Sequence, residues 1–198
     1  MRRRLSARKF ATSAVAILSF LCTAQAQNPT SKRVSIKNFG CINENFYRGA
    51  QPSGLAYREL ADLGVKTIID LQRDGRDDER GLVEAAGMKF VRIGMSDRES
   101  PSMDQAAEFL KVVSDPANQP IFVHCKGGRH RTGAMTAVYR ITHDGWSADQ
   151  AFKEMKDFDF TYGMGHGALK DFVFGYPATV EREKAVVSTS AATSTSSN

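Results

Sequence analysis

Ile121-Phe122-Val123-His124-Cys125-Lys126-Gly127-Gly128-Arg129-His130-Arg131-Thr132-Gly133 decides the reading of this chain, because it sets a cysteine and an arginine with five residues between them at the passage from a strand to a helix. Pro120 ends a loop, Ile121 to Val123 reads as a short buried strand, and Ala134, Met135, Ala137, Val138 and Ile141 recur at helical spacing. The loop between them therefore opens onto a helix N-terminus. Unpaired N–H groups and a partial positive charge there favour an anion, and they also favour the thiolate form of a nearby cysteine. Gly127 and Gly128 let the backbone curl so that successive N–H groups converge. Arg131 offers a planar fork for two oxygens of a phosphate, which a lysine would meet only as a point charge. The pattern predicts a phosphate cradle with Cys125 as a nucleophile at its base and Lys126, Gly127, Gly128, Arg129, His130 and Arg131 around the phosphate.

Outward from this loop, strands and helices alternate. Asn45 to Arg48 begins the first expected strand, and Ser53 caps a helix with Ala56, Leu60 and Leu63 on one face, closed by Gly64. Val65 to Leu71 is the continuous β-branched run of a strand buried on both faces. A helix over Asp77 to Ala86 ends at Gly87, and Met88 to Ile93 is the next strand. Ser102 with Gln105, and Ser147 with Gln150, form capping boxes for two more helices. Leu169, Phe172 and Val173 mark a last one, and Gly163 to Gly167 reads as a flexible connector before it. The alternation predicts a single α/β domain with a central, largely parallel sheet flanked by helices.

His124-Cys125, five residues, then Arg131 and Thr132 resemble the signature of the cysteine-based protein tyrosine and dual-specificity phosphatases. The loop is most similar to the atypical plant-and-fungal-type branch, which is rich in basic residues here and continues as His130-Arg131-Thr132-Gly133 does. Asn38-Phe39, Asn45 to Gly49 with Pro52, Leu63 to Leu71 and Phe90 to Glu99 share that resemblance, so it spans most of the chain from Asn38 to the helix after the signature. It implies a phosphomonoester hydrolase working through a phosphocysteine intermediate on phosphorylated proteins. The basic loop makes inositol polyphosphates or pyrophosphates a rival substrate class. A phosphate-binding module with weak turnover is a third reading. Sulfur-transfer domains and some arsenate reductases also place a cysteine in such a loop, but the matching flanks favour a phosphatase.

The resemblance also implies roles. An aspartate upstream of the signature protonates the leaving oxygen, and Asp97, 28 residues before Cys125 on the loop after a strand, is the candidate. Asp104 is the runner-up, although its place in the first turn of a helix already explains it. Asp74 and Asp77 belong to a charged loop that could border the substrate. Thr132 matches the hydroxyl that helps the thiolate leave, as well as being an ordinary helix-start residue, and His124 matches the residue that steadies the loop.

The 198-residue chain suffices for one well-cored domain. Arg2, Arg3, Arg4, Arg8 and Lys9 precede an apolar run from Phe10 to Leu21 and the small-residue site Ala24-Gln25-Ala26, the pattern of a secretory signal peptide cut after residue 26. A polar leader over 27–37, a phosphatase domain over 38–180 and a Ser/Thr-rich disordered tail over 181–198 follow. The leader peptide holds five of the 27 basic residues and no acidic ones, so the remainder carries 22 of each sign and the net charge of +5 disappears. No global field then favours nucleic acid or, after cleavage, a membrane. An exported monomer, periplasmic or extracellular, is the expectation. Four histidines and three cysteines show no metal-ligand spacing, so neither a metal nor another cofactor is expected. Export would expose a low-pKa Cys125 to oxidation, with Cys41 as the one available bridging partner after cleavage.

Overall fold

A computed structural model describes residues 34–163, 165–177 and 180; the expected signal peptide, all but the end of the polar leader, and the tail lie outside the described residues. In chain order the elements are β1 (Gly40–Asn43), β2 (Phe46–Ala50), α1 (Ala56–Asp62), β3 (Thr67–Gln72), α2 (Glu79–Ala85), β4 (Lys89–Met95), α3 (Met103–Ser114), β5 (Ile121–Cys125), α4 (His130–His143) and α5 (Ala148–Asp157). A sixth helix, α6, covers 167–177. The five strands form one sheet in the order β1-β2-β5-β3-β4, parallel throughout except for the antiparallel β1–β2 hairpin. This is the α/β class that the alternation predicts.

Strand periodicity divides the core into two layers. Ile69 and Leu71 of β3, and Ile121, Val123 and Cys125 of β5, join Phe109 of α3, Met135 and Val138 of α4, Met155 of α5 and Leu169 and Val173 of α6. Ile68 and Phe122, the alternate residues, face Tyr57 and Leu60 of α1 and Val83 of α2. Burying each such aliphatic side chain contributes on the order of 2 kcal/mol, and both faces of β3 and β5 are covered. That is why these strands read as unbroken apolar runs. The same alternation sends Asp70, Gln72 and His124 into the α1/α2 layer, whereas Cys125 turns into the α4 layer.

Two expectations are corrected, and one open possibility is closed. The strand beginning at Asn45 is the second, since Gly40–Asn43 forms an edge strand whose side chains alternate too weakly to announce it. Glycine is favoured at position 40 because a Cβ would strike the Phe158 ring. The start of α1 has Leu55 at its N-cap with no side-chain cap, and Ser53 serves it only through its backbone carbonyl, which accepts from Ala56 N at 3.1 Å. Both capping boxes, by contrast, are formed as expected at Ser102–Gln105 and Ser147–Gln150. Finally, a Cys41–Cys125 bridge is ruled out: Cys41 pairs with Tyr47, whereas Cys125 lies beyond β2 opposite Ala50. Three residues along and two strands across amount to roughly 14 Å, twice the reach of a disulfide. Both thiols are free, Cys41 exposed and Cys125 buried.

Candidate active site

In a parallel sheet whose chain doubles back, loops at the carboxyl ends of neighbouring strands converge on one crevice. β5 sits between β2 and β3, so its carboxyl end, Cys125, faces the loop after β3, which carries Asp74, and the loop after β4, which carries Asp97. A cavity of about 240 Å³ opens there, lined by Asp97, Cys125, Lys126, Gly127, Arg129, His130, Arg131 and His166. The structure thus brings together residues up to 69 positions apart, Asp97 and His166 being the extremes. Asp104 lies outside this lining, on the exposed first turn of α3.

The loop is built to turn amides inward. Gly128 adopts φ +67, and a Cβ there would fall on the Gly49–Ala50 peptide. Its carbonyl points away from the bowl, accepting from Arg48 Nη2 at 2.8 Å and from Asn38 Nδ2 at 2.9 Å. Lys126 O likewise turns outward, toward Gln51 N at 3.5 Å. The inward groups act on Cys125. Burial raises its pKa, but this is outweighed by the Thr132 hydroxyl and backbone N–H, the Arg131 charge and the Gly128 N–H, which together hold the thiol below its ordinary value. The Thr132 hydroxyl is buried and otherwise unpartnered, so the sulfur is the group left for it to serve.

Arg131 is 5% exposed and swings back from the first turn of α4. Its Nη1 donates to the Met95 carbonyl at 3.3 Å and to Asp74 Oδ1 at 3.4 Å, while its Nε is buried without a protein partner. The guanidinium is therefore held on one edge and leaves a donor for an oxyanion. Asp74 is 86% exposed, so this ion pair orients more than it stabilises. Asp77 is not among the groups lining the cavity.

Beneath the loop lie Arg48, Asp70 and Glu79, whose roles sequence reasoning missed, and His124, which it read as a support for the loop. Arg48 is fully buried; its guanidinium packs 4.0 Å over the Phe158 ring, and burial pushes its pKa down to about 10 against the opposing charges of Glu154 and Cys125. On the other face, His124 Nε2 stands 3.1 Å from Glu79 Oε1 and Nδ1 stands 3.9 Å from Asp70 Oδ1, both off the line of a hydrogen bond. Asp70, Glu79 and His124 have metal-ligand chemistry, and each carboxylate oxygen accepts a hydrogen bond, Glu79 from Tyr57 and Gln51, Asp70 from Gln72 and Arg92. The cluster forms a buried polar layer beneath the strand before Cys125, its two carboxylates tied to their own neighbours and the His124 ring between them. Such roles leave no local signature, because alternate strand residues reveal their face only once the sheet is paired. His166 is the other surprise. The segment 163–167 is no bare connector, since His166 stacks on His130 with ring centroids 3.7 Å apart and bonds to the Asp97 carbonyl at 2.7 Å.

A largely parallel α/β sheet with a cysteine–arginine anion loop at its switch point fits the class of cysteine-dependent phosphatases. The family described as the DSP-PTPase phosphatase fused to NAD+ kinase matches residues 27–170, and the chain belongs to this family of dual-specificity-type phosphatase domains. The chain is 30% identical over 126 residues to the "Probable tyrosine-protein phosphatase DG1060" of Dictyostelium discoideum, covering 61% of this chain and 75% of that one. It is 30% identical over 130 residues to the "Inositol diphosphatase SIW14" of Saccharomyces cerevisiae, covering 63% of this chain but spanning only 46% of the yeast protein. The crystal structure of TpbA from Pseudomonas aeruginosa superposes with a TM-score of 0.61 at 26% identity, over 71% of this chain and 85% of that one.

Proposed function

We propose that this protein is an exported phosphatase that hydrolyses phosphomonoesters in two steps through Cys125, with phosphorylated tyrosine or serine/threonine proteins as its substrates. The observation that carries the reading is the thiol itself: buried, yet held below its ordinary pKa by converging donors. The Cys125 thiolate attacks phosphorus as the P–O bond to the leaving group breaks, and Arg131 with the loop amides takes up the charge on the phosphoryl oxygens. Asp97, at the cavity wall, gives its proton to the leaving oxygen. A water then attacks the phosphocysteine, Asp97 recovers a proton from it, and the Thr132 hydroxyl stabilises the departing thiolate. His124 acts only through the strand it steadies.

Inositol polyphosphates or pyrophosphates are a second reading, favoured by the exposed Lys126 and Arg129 at the rim, which suit a substrate carrying several phosphates, and by the yeast relative's name. Export is supported by the basic and then apolar first 26 residues and by a family match that begins at residue 27.

The test is vanadate-sensitive release of phosphate from an aryl phosphate under reducing conditions, by the wild type and by Cys125→Ser. Turnover by the wild type alone supports the proposal. Equal inertness of both, with retained phosphate binding, would instead make the protein a binding module. A panel of phosphopeptides and inositol phosphates then decides the substrate class.

A further inference from the structure

The loop that carries Asp97 is weakly anchored on its own side. Its internal contact is Arg98 N to Ser96 Oγ at 3.2 Å, and its ion pair, Arg73 to Glu99 at 3.5 Å, joins two side chains about two-thirds exposed. Such exposed pairs hold little. A proton donor, however, must stay within hydrogen-bond reach of the leaving oxygen. The restraint comes instead from the segment between α5 and α6. Gly165, at φ +97, lies against the Arg98 side chain and turns the chain so that His166 enters the cavity. The Asp97 carbonyl can only accept, so the His166 Nδ1 at 2.7 Å carries the hydrogen. A face of the same ring lies on His130, the residue before Arg131, at a 17° interplanar angle. His130 is in turn fixed by the edge of Phe160, 5.3 Å away, and by Thr161 Oγ1, 3.5 Å from Nε2.

One imidazole therefore bridges the phosphate loop and the loop of the proposed acid. We propose that His166 is a positioning residue for proton transfer: stacked on His130 and donating to the Asp97 carbonyl, it fixes the Asp97 carboxyl over the leaving-group oxygen of a phosphate held by the Cys125–Arg131 loop. The inference rests on the reading of Asp97 as the general acid. It identifies Phe160, Thr161, Gly165 and His166, rather than the exposed contacts of the 96–99 loop, as what sets the acid's distance.

The test compares kcat and KM of the full chain and of His166→Ala, His166→Asn and Asp97→Asn on two aryl phosphates, one with a good leaving group (p-nitrophenol) and one with a poor one (phenol). Proton donation matters in proportion to leaving-group basicity, and kcat/KM reports the chemistry only up to leaving-group departure, so His166→Ala is expected to lose about 30-fold in kcat/KM on phenyl phosphate and less than about 3-fold on p-nitrophenyl phosphate. Asn presents an amide N–H near the position of Nδ1 and is expected to recover most of the loss. Equal losses on both substrates, no loss on phenyl phosphate, or an Asn variant no better than Ala would overturn the inference, with the acid role of Asp97 intact if Asp97→Asn keeps its own selective loss on phenyl phosphate. Absence of that selective loss in Asp97→Asn would remove the acid assignment, and this inference with it.

Discussion

The floor and the rim of this site are built by different means. At the floor, Cys125, Gly128 and Thr132 ride on the junction of β5 and α4 and are all buried, and the fully buried Arg48 bonds to the Gly128 carbonyl. At the rim, Asp97, Arg129 and His166 come from loops and meet through a ring stack and a few polar contacts. The difference teaches that the anion-binding geometry is fixed by folding itself, whereas acid placement and substrate choice depend on local contacts that can change without loss of the fold.

The first way to break that contrast is Arg131→Lys, the largest expected effect. A fork held by Met95 O and Asp74 becomes a point charge, and kcat/KM should fall by about 100- to 1000-fold, with the melting temperature little changed. A small loss would mean that the loop amides alone hold the phosphate. Next, Gly128→Ala places a Cβ on the Gly49–Ala50 peptide at a left-handed φ, and should cost about 3 kcal/mol in denaturant unfolding; the same change at Gly163, where a Cβ meets nothing within 4 Å, should cost less than about 1 kcal/mol. Third, Arg48→Met keeps much of the volume beside Phe158 but releases the Gly128 carbonyl from one of its two donors. Because an apolar replacement also relieves a buried charge, stability should move by less than about 2 kcal/mol, while turnover falls about 10-fold as the loop amides lose their aim.

The smallest effect belongs to the rim and to pH. Burial, followed by repulsion from His166, pushes His130 down from 6.5 to about 4. Arg129 works in the same direction, and the Thr161 backbone and Asp97 oppose them. As pH falls through that window the unfolded chain takes up a proton that the folded chain refuses, so stability present above about 6.5 is lost progressively toward 4. His130→Gln should flatten the stability profile over that interval in chemical unfolding, and an unchanged slope would show that the stacked pair accepts both protons.

Much of the floor is legible in the sequence because its causes are local: a strand, glycines and a helix start occupy contiguous residues, and the Ser102 and Ser147 capping boxes announce their own helices. Asn38 and Arg48 stand inside the stretches that resemble the phosphatase branch, yet their action on the Gly128 carbonyl depends on sheet register across 90 and 80 residues and has no local pattern. The same holds for the Asp70–His124–Glu79 layer. His166, set among glycines, reads as a linker residue, and only the packing of α6 brings it to Asp97. Edge strand β1 is missed for a simpler reason: four residues with one buried side chain carry no alternation to detect.

The central claim is that the sulfur of Cys125 is the atom that takes the phosphoryl group, and acid quenching during turnover of an aryl phosphate, followed by peptide mass spectrometry, tests it most directly. The account predicts a phosphoryl adduct on the peptide that contains Cys125, absent in Cys125→Ser. Steady turnover with no adduct at that position, or turnover undiminished in the serine variant, would contradict it.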